Sequence, residues 1–231
     1  VPSDTAADVV GGSAGAILAL TSLQPTGSAD LARTVGLRCG LHLLASLRPQ
    51  AVGSATDSPI DGGAPLTGMS HGAAGIATAF IELAAGAVGV GVGVGVGVGD
   101  RFTLAAAEVI AYEQSRFVTD ASNWADLRFE TAGDGTVHTC QTSWCHGAPG
   151  IGLARLRALR GAAAAGLPAR MVAGLVHDAV VAVETTLRRG PCDNHSLCHG
   201  TAGNLELLVQ AAASEALPDA VRRRCRHHVH G

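Results

Sequence analysis

One short pattern, recurring four times, constrains this chain more than anything else in it. It reads GGSAGAILAL at Gly11–Leu20, SHGAAGIATAF at Ser70–Phe80, CHGAPGIGLARL at Cys145–Leu156 and CHGTAGNLELL at Cys198–Leu208. Every copy has a Gly-x-x-Gly core of small residues and then runs into an apolar helical segment. The first glycines are Gly12, Gly72, Gly147 and Gly200, spaced by 60, 75 and 53 residues. A short unit repeated at long, unequal intervals suits a helical-hairpin repeat with variable loops. Glycine and alanine at its start permit close backbone approach.

Between the copies lie longer amphipathic stretches. In Arg170–Arg189 the apolar positions are Val172, Leu175, Val176, Ala179, Val180, Val183 and Leu187, a helical spacing ended by Gly190–Pro191. Ala29–Leu47 and Arg101–Val118 read the same way, and no alternating strand pattern stands out. The expected layout is outer helix, loop, inner helix, repeated, with the inner N-termini gathered at one end. Val88–Gly99 alternates valine and glycine strictly. Glycine at every second position weakens a strand, so this stretch reads as a low-complexity loop insertion. The expected fold is all-α: one domain over residues 1–231, with glycine-motif repeats near 8–23, 66–85, 144–160 and 197–213.

Composition removes several function classes. With 47% hydrophobic and 15% charged residues, the 231-residue chain buries a core and is not disordered. A net charge of −3 and only four Phe, two Trp and one Tyr argue against nucleic-acid binding. Two long uncharged runs, Val9–Ala29 and Leu83–Gly99, are broken by Gln24–Pro25 and by glycines, and neither reads as a membrane span. With no secretory signal at Val1–Val10, a cytoplasmic chain is expected. Its six cysteines then read as reduced thiols or metal ligands. The absence of an initial Met suggests a piece of something longer.

The chemistry concentrates in the repeats. Cys-His-Gly occurs twice, at equivalent places in neighbouring copies, so Cys145, Cys198 and His199 are expected to meet although far apart in sequence. Thiolate and imidazole are preferred zinc ligands, and three protein ligands leave the open position of a catalytic site. His146, which matches His199 by repeat, is the candidate for a fourth ligand. His71 holds the same slot in a Ser-His-Gly copy without the cysteine, which suits an acid or base beside the metal. Asp8, four residues ahead of Gly12, reads from its position as a helix cap. The segment Tyr112–Arg128 (YEQSRFVTDASNWADLR) reads as a structured loop anchored by Trp124 and by the Asp126–Arg128 neighbourhood. The histidines of the tail Cys225–Gly231 read as solvated, and Cys39, Cys140 and Cys192 as non-ligands.

These residues resemble a known family. WCHGAPGIGLARL (Trp144–Leu156) and SLCHGTAGNLELL (Ser196–Leu208) look like the zinc-site motifs of the LanC-like lanthionine cyclases. LTGMSHGAAGIA (Leu66–Ala77) and DVVGGSAGAILAL (Asp8–Leu20) fit its earlier motifs, and Tyr112–Arg128 resembles a stretch of the fused class II, LanM-type lanthipeptide synthetases. The resemblance implies an α/α toroid, a ring of inner helices within a ring of outer ones, here incomplete at about four of seven hairpins. It implies zinc held by Cys145, Cys198 and His199, with His71 and Asp8 nearby as acid–base residues. In some family members the residue after the first zinc cysteine is Tyr; here it is His146.

The activity so implied is addition of a peptide cysteine thiol to a dehydroalanine or dehydrobutyrine of the same precursor peptide, giving a thioether ring. A dehydratase domain on the same full-length chain is implied as partner, and the chain is expected to be part of that larger synthetase. A zinc hydrolase would need a metal-water base such as a His-Glu-x-x-His pair, and no such motif exists here. The remaining alternative is a non-catalytic zinc- and peptide-binding remnant of such a domain.

Overall fold

The computed structural model of the chain describes residues 6–22, 29–58, 63–87, 97–129 and 139–230. Among these the architecture is all-α. Eight helices run in chain order: α1 (Ser13–Ser22), α2 (Ala29–Ser46), α3 (Ala73–Ala87), α4 (Val98–Gln114), α5 (Ala148–Gly161), α6 (Ala169–Arg189), α7 (Thr201–Ala213) and α8 (Asp219–His230). They form four hairpins, α1–α2, α3–α4, α5–α6 and α7–α8. The first helix of each also packs on the first helix of the next, so α1, α3, α5 and α7 make a continuous inner row. The helices α2, α4, α6 and α8 lie outside it.

This corrects the expected phase of the repeat. Each inner helix takes as its main partner the outer helix that follows it, not the one that precedes it. Two smaller expectations also change. Val98 and Gly99, read as the end of the Val-Gly loop, begin α4, while residues 88–96 lie outside the described residues. Two minimal antiparallel pairs appear: β1 (Arg48–Pro49) with β2 (Ser54–Ala55), and β3 (Phe117–Val118) with β4 (Asn123–Trp124). A two-residue strand has no period for a pattern search to detect.

The motif glycines explain the repeat. At the second glycine of each copy, Gly15, Gly75, Gly150 and Gly203, a Cβ would lie only 1.9–2.3 Å from a main-chain carbonyl oxygen, those of Val9, Met69, Trp144 and Leu197. In every case that carbonyl belongs to the residue six positions earlier. The loop before each inner helix therefore folds back over the helix start too closely for any side chain. The same contacts join the repeats: the Val9 side chain meets Gly75, Met69 meets Gly150, and Trp144 meets Gly203. A knob from one turn thus fills the space left by the next turn's glycine, and the helix starts converge at one end of the row.

Burial follows the two layers. Inner helix α3 is apolar on most of its circumference, with Ala74, Ala79 and Phe80 fully buried. Outer helix α6 buries Leu175, Ala179, Ala182 and Val183 along one stripe and leaves Arg188 and Arg189 in solvent. One ionic group is sealed inside. Arg155 of α5 donates from Nε to Asp178 of α6 at 2.9 Å and from Nη2 to Glu113 of α4, and all three side chains are buried. Burial, opposed by Arg155, raises the Glu113 carboxyl to about 7. Arg157 ties α5 to Glu82 of α3 at 2.8 Å and to the Leu18 carbonyl of α1 at 3.0 Å.

Candidate metal and acid–base site

The convergent turns are stitched by main-chain hydrogen bonds. Val9 N donates to the Ser70 carbonyl (3.0 Å), Ser70 N to that of Cys145 (3.4 Å) and Cys145 N to that of Cys198 (3.1 Å). Ser70, Cys145 and Cys198 occupy the same position in successive repeats, so repeat symmetry brings them side by side as expected. The Ser70 hydroxyl adds a second bond to the Cys145 carbonyl, at 3.1 Å.

Asp8 and His71 meet across the first two turns, with Asp8 Oδ2 2.7 Å from His71 Nδ1. Asp8 Oδ1 meanwhile accepts the Gly11 N–H at 2.8 Å. The carboxylate therefore braces the turn ahead of α1 and orients the histidine at once. His71 in turn stacks on His146, with ring centroids 6.3 Å apart. His146 is buried, and this burial, with the charge of Arg128, lowers its pKa to about 4. It is a neutral ring at physiological pH.

Cys145 is buried and Cys198 exposed, and their thiols are hydrogen-bonded to one another. The Ser143 hydroxyl lies 3.4 Å from Cys145 Sγ. Burial, this thiol–thiol bond and the neighbouring Cys145 charge together raise the Cys198 pKa, with Arg128 opposing. Two adjacent thiols are the donor chemistry a thiophilic divalent cation takes. His199 follows at the exposed mouth; its hydrogen bonds among the described residues are made by its main chain. The structure thus pairs Cys145 with Cys198 and Asp8 with His71. Among the described residues it gathers no three His, Cys, Asp or Glu side chains into a metal-holding group.

The segment after α4 closes one side of the site, and its chemistry was missed in the sequence. Trp124 is buried, edge-on to Phe117, as the anchoring role expected. Asn123 Oδ1 accepts the Ala148 N–H at 2.8 Å and so caps the start of α5 from another part of the chain. Asp126 grips Arg128 through Nε (2.9 Å) and Nη2 (2.7 Å). That hydrogen-bonded pairing raises the Arg128 pKa, and the thiols of Cys145 and Cys198 act on the same guanidinium. Asp126 is held below the usual carboxylate range, where the bonds from Arg128 outweigh its burial. The sequence signal was the polar stretch Asn123–Arg128, which spacing alone could not connect to the cysteines.

The family model described as Lanthionine synthetase C-like protein matches residues 2–220. The chain belongs to the LanC-like family. Its fold resembles the solved structure of nisin cyclase, with a TM-score of 0.59 and 19% sequence identity. The match covers 94% of this chain and 54% of that one, so this LanC-like chain spans about half the length of the structure it resembles. No curated protein sequence matches it. The likeness is one of fold, and it accounts for the two helical layers as part of the family's α/α toroid. No helix among the described residues is long and apolar enough to cross a membrane.

Proposed function

We propose that this chain is the lanthionine-cyclase part of a class II lanthipeptide synthetase. It would add a cysteine thiol of a dehydrated precursor peptide to a dehydroalanine or dehydrobutyrine in the same peptide. The observation that carries the reading is the placement of an acid–base pair, Asp8–His71, on the same row of turns as the thiol pair Cys145–Cys198. The class II assignment draws on the Tyr112–Arg128 segment, and with it come a dehydratase domain on the full-length chain and a cytoplasmic setting.

Cys145, Cys198 and His199 would hold zinc, the two cysteines through thiols already side by side and His199 by turning inward from the mouth. A zinc ion there would supply the charge that keeps an incoming thiol ionised near neutral pH. The remaining work falls to the chain itself. Asp8 fixes the ring of His71 through Nδ1, so Nε2 would be the nitrogen left for proton transfer. His71 would deliver the proton that the substrate's α-carbon needs after sulfur has added to the β-carbon. His146 stays neutral beside it and puts no second cation next to His71.

The test uses the zinc-loaded chain and a peptide carrying one dehydroalanine and one cysteine. Addition leaves the peptide mass unchanged and abolishes its reaction with a thiol-alkylating reagent. Loss of the free thiol at unchanged mass supports the reading. Bound zinc and bound peptide with the thiol persisting would support the second reading, a non-catalytic zinc- and peptide-binding remnant. The observation favouring that alternative is that the His199 imidazole is not part of a three-donor group.

A further inference from the structure

The outer helix α8 carries charge that the fold does not use. Four of the chain's sixteen basic residues fall within its twelve residues, in a chain whose net charge is −3. Three of the four are engaged. Arg222 pairs with Asp219, Arg224 pairs with Glu184 of α6, and Arg226 donates to the Ala212 carbonyl at 3.0 Å. Arg223 makes no hydrogen bond or ion pair among the described residues, although Asp219 feels its charge. The helix is amphipathic. Val221 and Cys225 are buried, whereas Ala220, Arg223, Arg224, His227 and His228 recur at helical spacing along one exposed stripe. That stripe lines a groove of about 620 Å³ floored by Leu187, from the last turn of α6. Leu187 packs against the core, so the floor is fixed. The carboxylates of Glu184 and Asp219 are already paired, and the groove is left with an apolar floor and a cationic wall.

We propose that the groove between α6 and α8 binds an amphipathic acidic helix of a peptide partner. Its carboxylates, spaced three to four residues apart, would face Arg223, His227 and His228, and an apolar side chain would lie on Leu187 and Ala220. Each imidazole offers a ring N–H to a carboxylate in either protonation state. The wall repeats once per helical turn, about 5.4 Å, which matches carboxylates on a helix better than the roughly 6.6 Å between same-face residues of a strand. The apolar floor favours a ligand with an apolar stripe over a free inorganic anion. The net negative charge and the scarcity of aromatics argue against nucleic acid. None of these residues belongs to the turns that carry Asp8, His71, Cys145 and Cys198, so the inference does not rest on the cyclase reading.

The experiment titrates the whole chain into a labelled synthetic helix, with glutamates at every third or fourth position beside a stripe of leucines, and follows fluorescence anisotropy. Wild type should bind it about tenfold or more tightly than its glutamine analogue or a scrambled peptide of the same composition, and more weakly as salt rises. Arg223→Gln should cost up to about fivefold, the range of an exposed charge pair. Ala220→Glu, which sets a carboxylate in the groove, should cost more than about tenfold. Both positions are exposed, so melting temperatures should hold. Arg223→Glu should gain affinity for a lysine analogue of the peptide. A chelator or His71→Ala should leave binding unchanged, which separates this result from any failure of cyclisation. Equal binding of the scrambled peptide, or unaltered affinity in both Arg223→Gln and Ala220→Glu, overturns the inference. So does tighter binding of inorganic phosphate, phosphatidylserine vesicles or duplex RNA that the same variants abolish.

Discussion

His71 Nδ1 stands 2.7 Å from Asp8 Oδ2, across 63 residues of chain. The contact holds Nδ1 as the donor and leaves Nε2 as the nitrogen for proton exchange. Replacing Asp8 by Asn keeps the size and the acceptor that braces Gly11, but removes the carboxylate that accepts the His71 Nδ1 proton. Asp8→Asn should slow thioether formation by a factor within the range of about 10²–10⁴ typical of acid–base groups, and His71→Ala by at least as much. Both variants should keep their zinc, because neither residue is paired with the thiols. Single-turnover thiol loss alongside elemental analysis measures the two quantities separately. Full cyclisation by His71→Ala would remove the pair from the mechanism.

The metal prediction turns on His199. One zinc per chain is expected, with its binding weakened on replacing Cys145, Cys198 or His199 by Ala. The Cys145–Cys198 pair is preformed, so the cysteine variants should lose the metal outright and the histidine variant should bind it more weakly. Titration with a chromophoric chelator ranks the three. A His199→Ala chain that holds zinc as tightly as wild type would pass the third-ligand role to another donor, with His146 the residue to replace next.

Much of this was legible in the sequence, for a reason now visible. The Gly-x-x-Gly cores mark turns where a carbonyl lies too close for a side chain, so the glycines announce each inner helix start. Equivalent cysteines in successive copies then had to be neighbours. What spacing could not give was partner choice. The amphipathic stripe of α6 says that one face is buried, not whether α5 or α7 covers it. Nothing in the sequence marks Arg155, because its partners Glu113 and Asp178 lie on other elements at positions with no pattern. Asp8 read as a helix cap from its position; instead its Oδ1 accepts the Gly11 N–H in the turn ahead of α1, and the second oxygen's bond to His71 depends on the docking of two repeats.

The glycine account predicts opposite outcomes at two sites. In Gly150→Ala the new methyl would lie 1.9 Å from the Trp144 carbonyl and 2.8 Å from Met69 Cβ. Neither backbone nor neighbouring turn can yield cheaply, so a loss of roughly 1–3 kcal/mol or more is expected. Gly174, inside α6, meets nothing within 4 Å. Gly174→Ala should therefore stabilise by about 0.4–1 kcal/mol, through helix propensity and a less flexible unfolded chain. Denaturant melts of the two variants decide it, and a stable Gly150→Ala chain would contradict the fold-back of the turn.

The last prediction concerns the buried group joining α4, α5 and α6. Glu113 is fully buried, and its Oε2 takes no hydrogen bond among the described residues. Its carboxyl accordingly rises from 4.5 to about 7, burial outweighing the attraction of Arg155. Below pH 4.5 the folded and unfolded chains both hold this proton. Between pH 4.5 and about 7 the unfolded chain has released it and the folded chain has not. The folded state then binds more protons, so raising the pH favours unfolding, and the contribution is gone above the folded value. Glu113→Gln copies the protonated form and cannot titrate. Relative to that variant, wild type should lose stability as the pH climbs through this window and show a flat difference above it. Arg155→Met should behave differently, losing about 3–5 kcal/mol at neutral pH because two buried carboxylates are left without their cation. Melting temperatures of the three chains from pH 4 to 9 make the comparison. Parallel pH profiles for wild type and Glu113→Gln would mean that Glu113 ionises in the folded chain as readily as in the unfolded one, and that Arg155 fully offsets its burial.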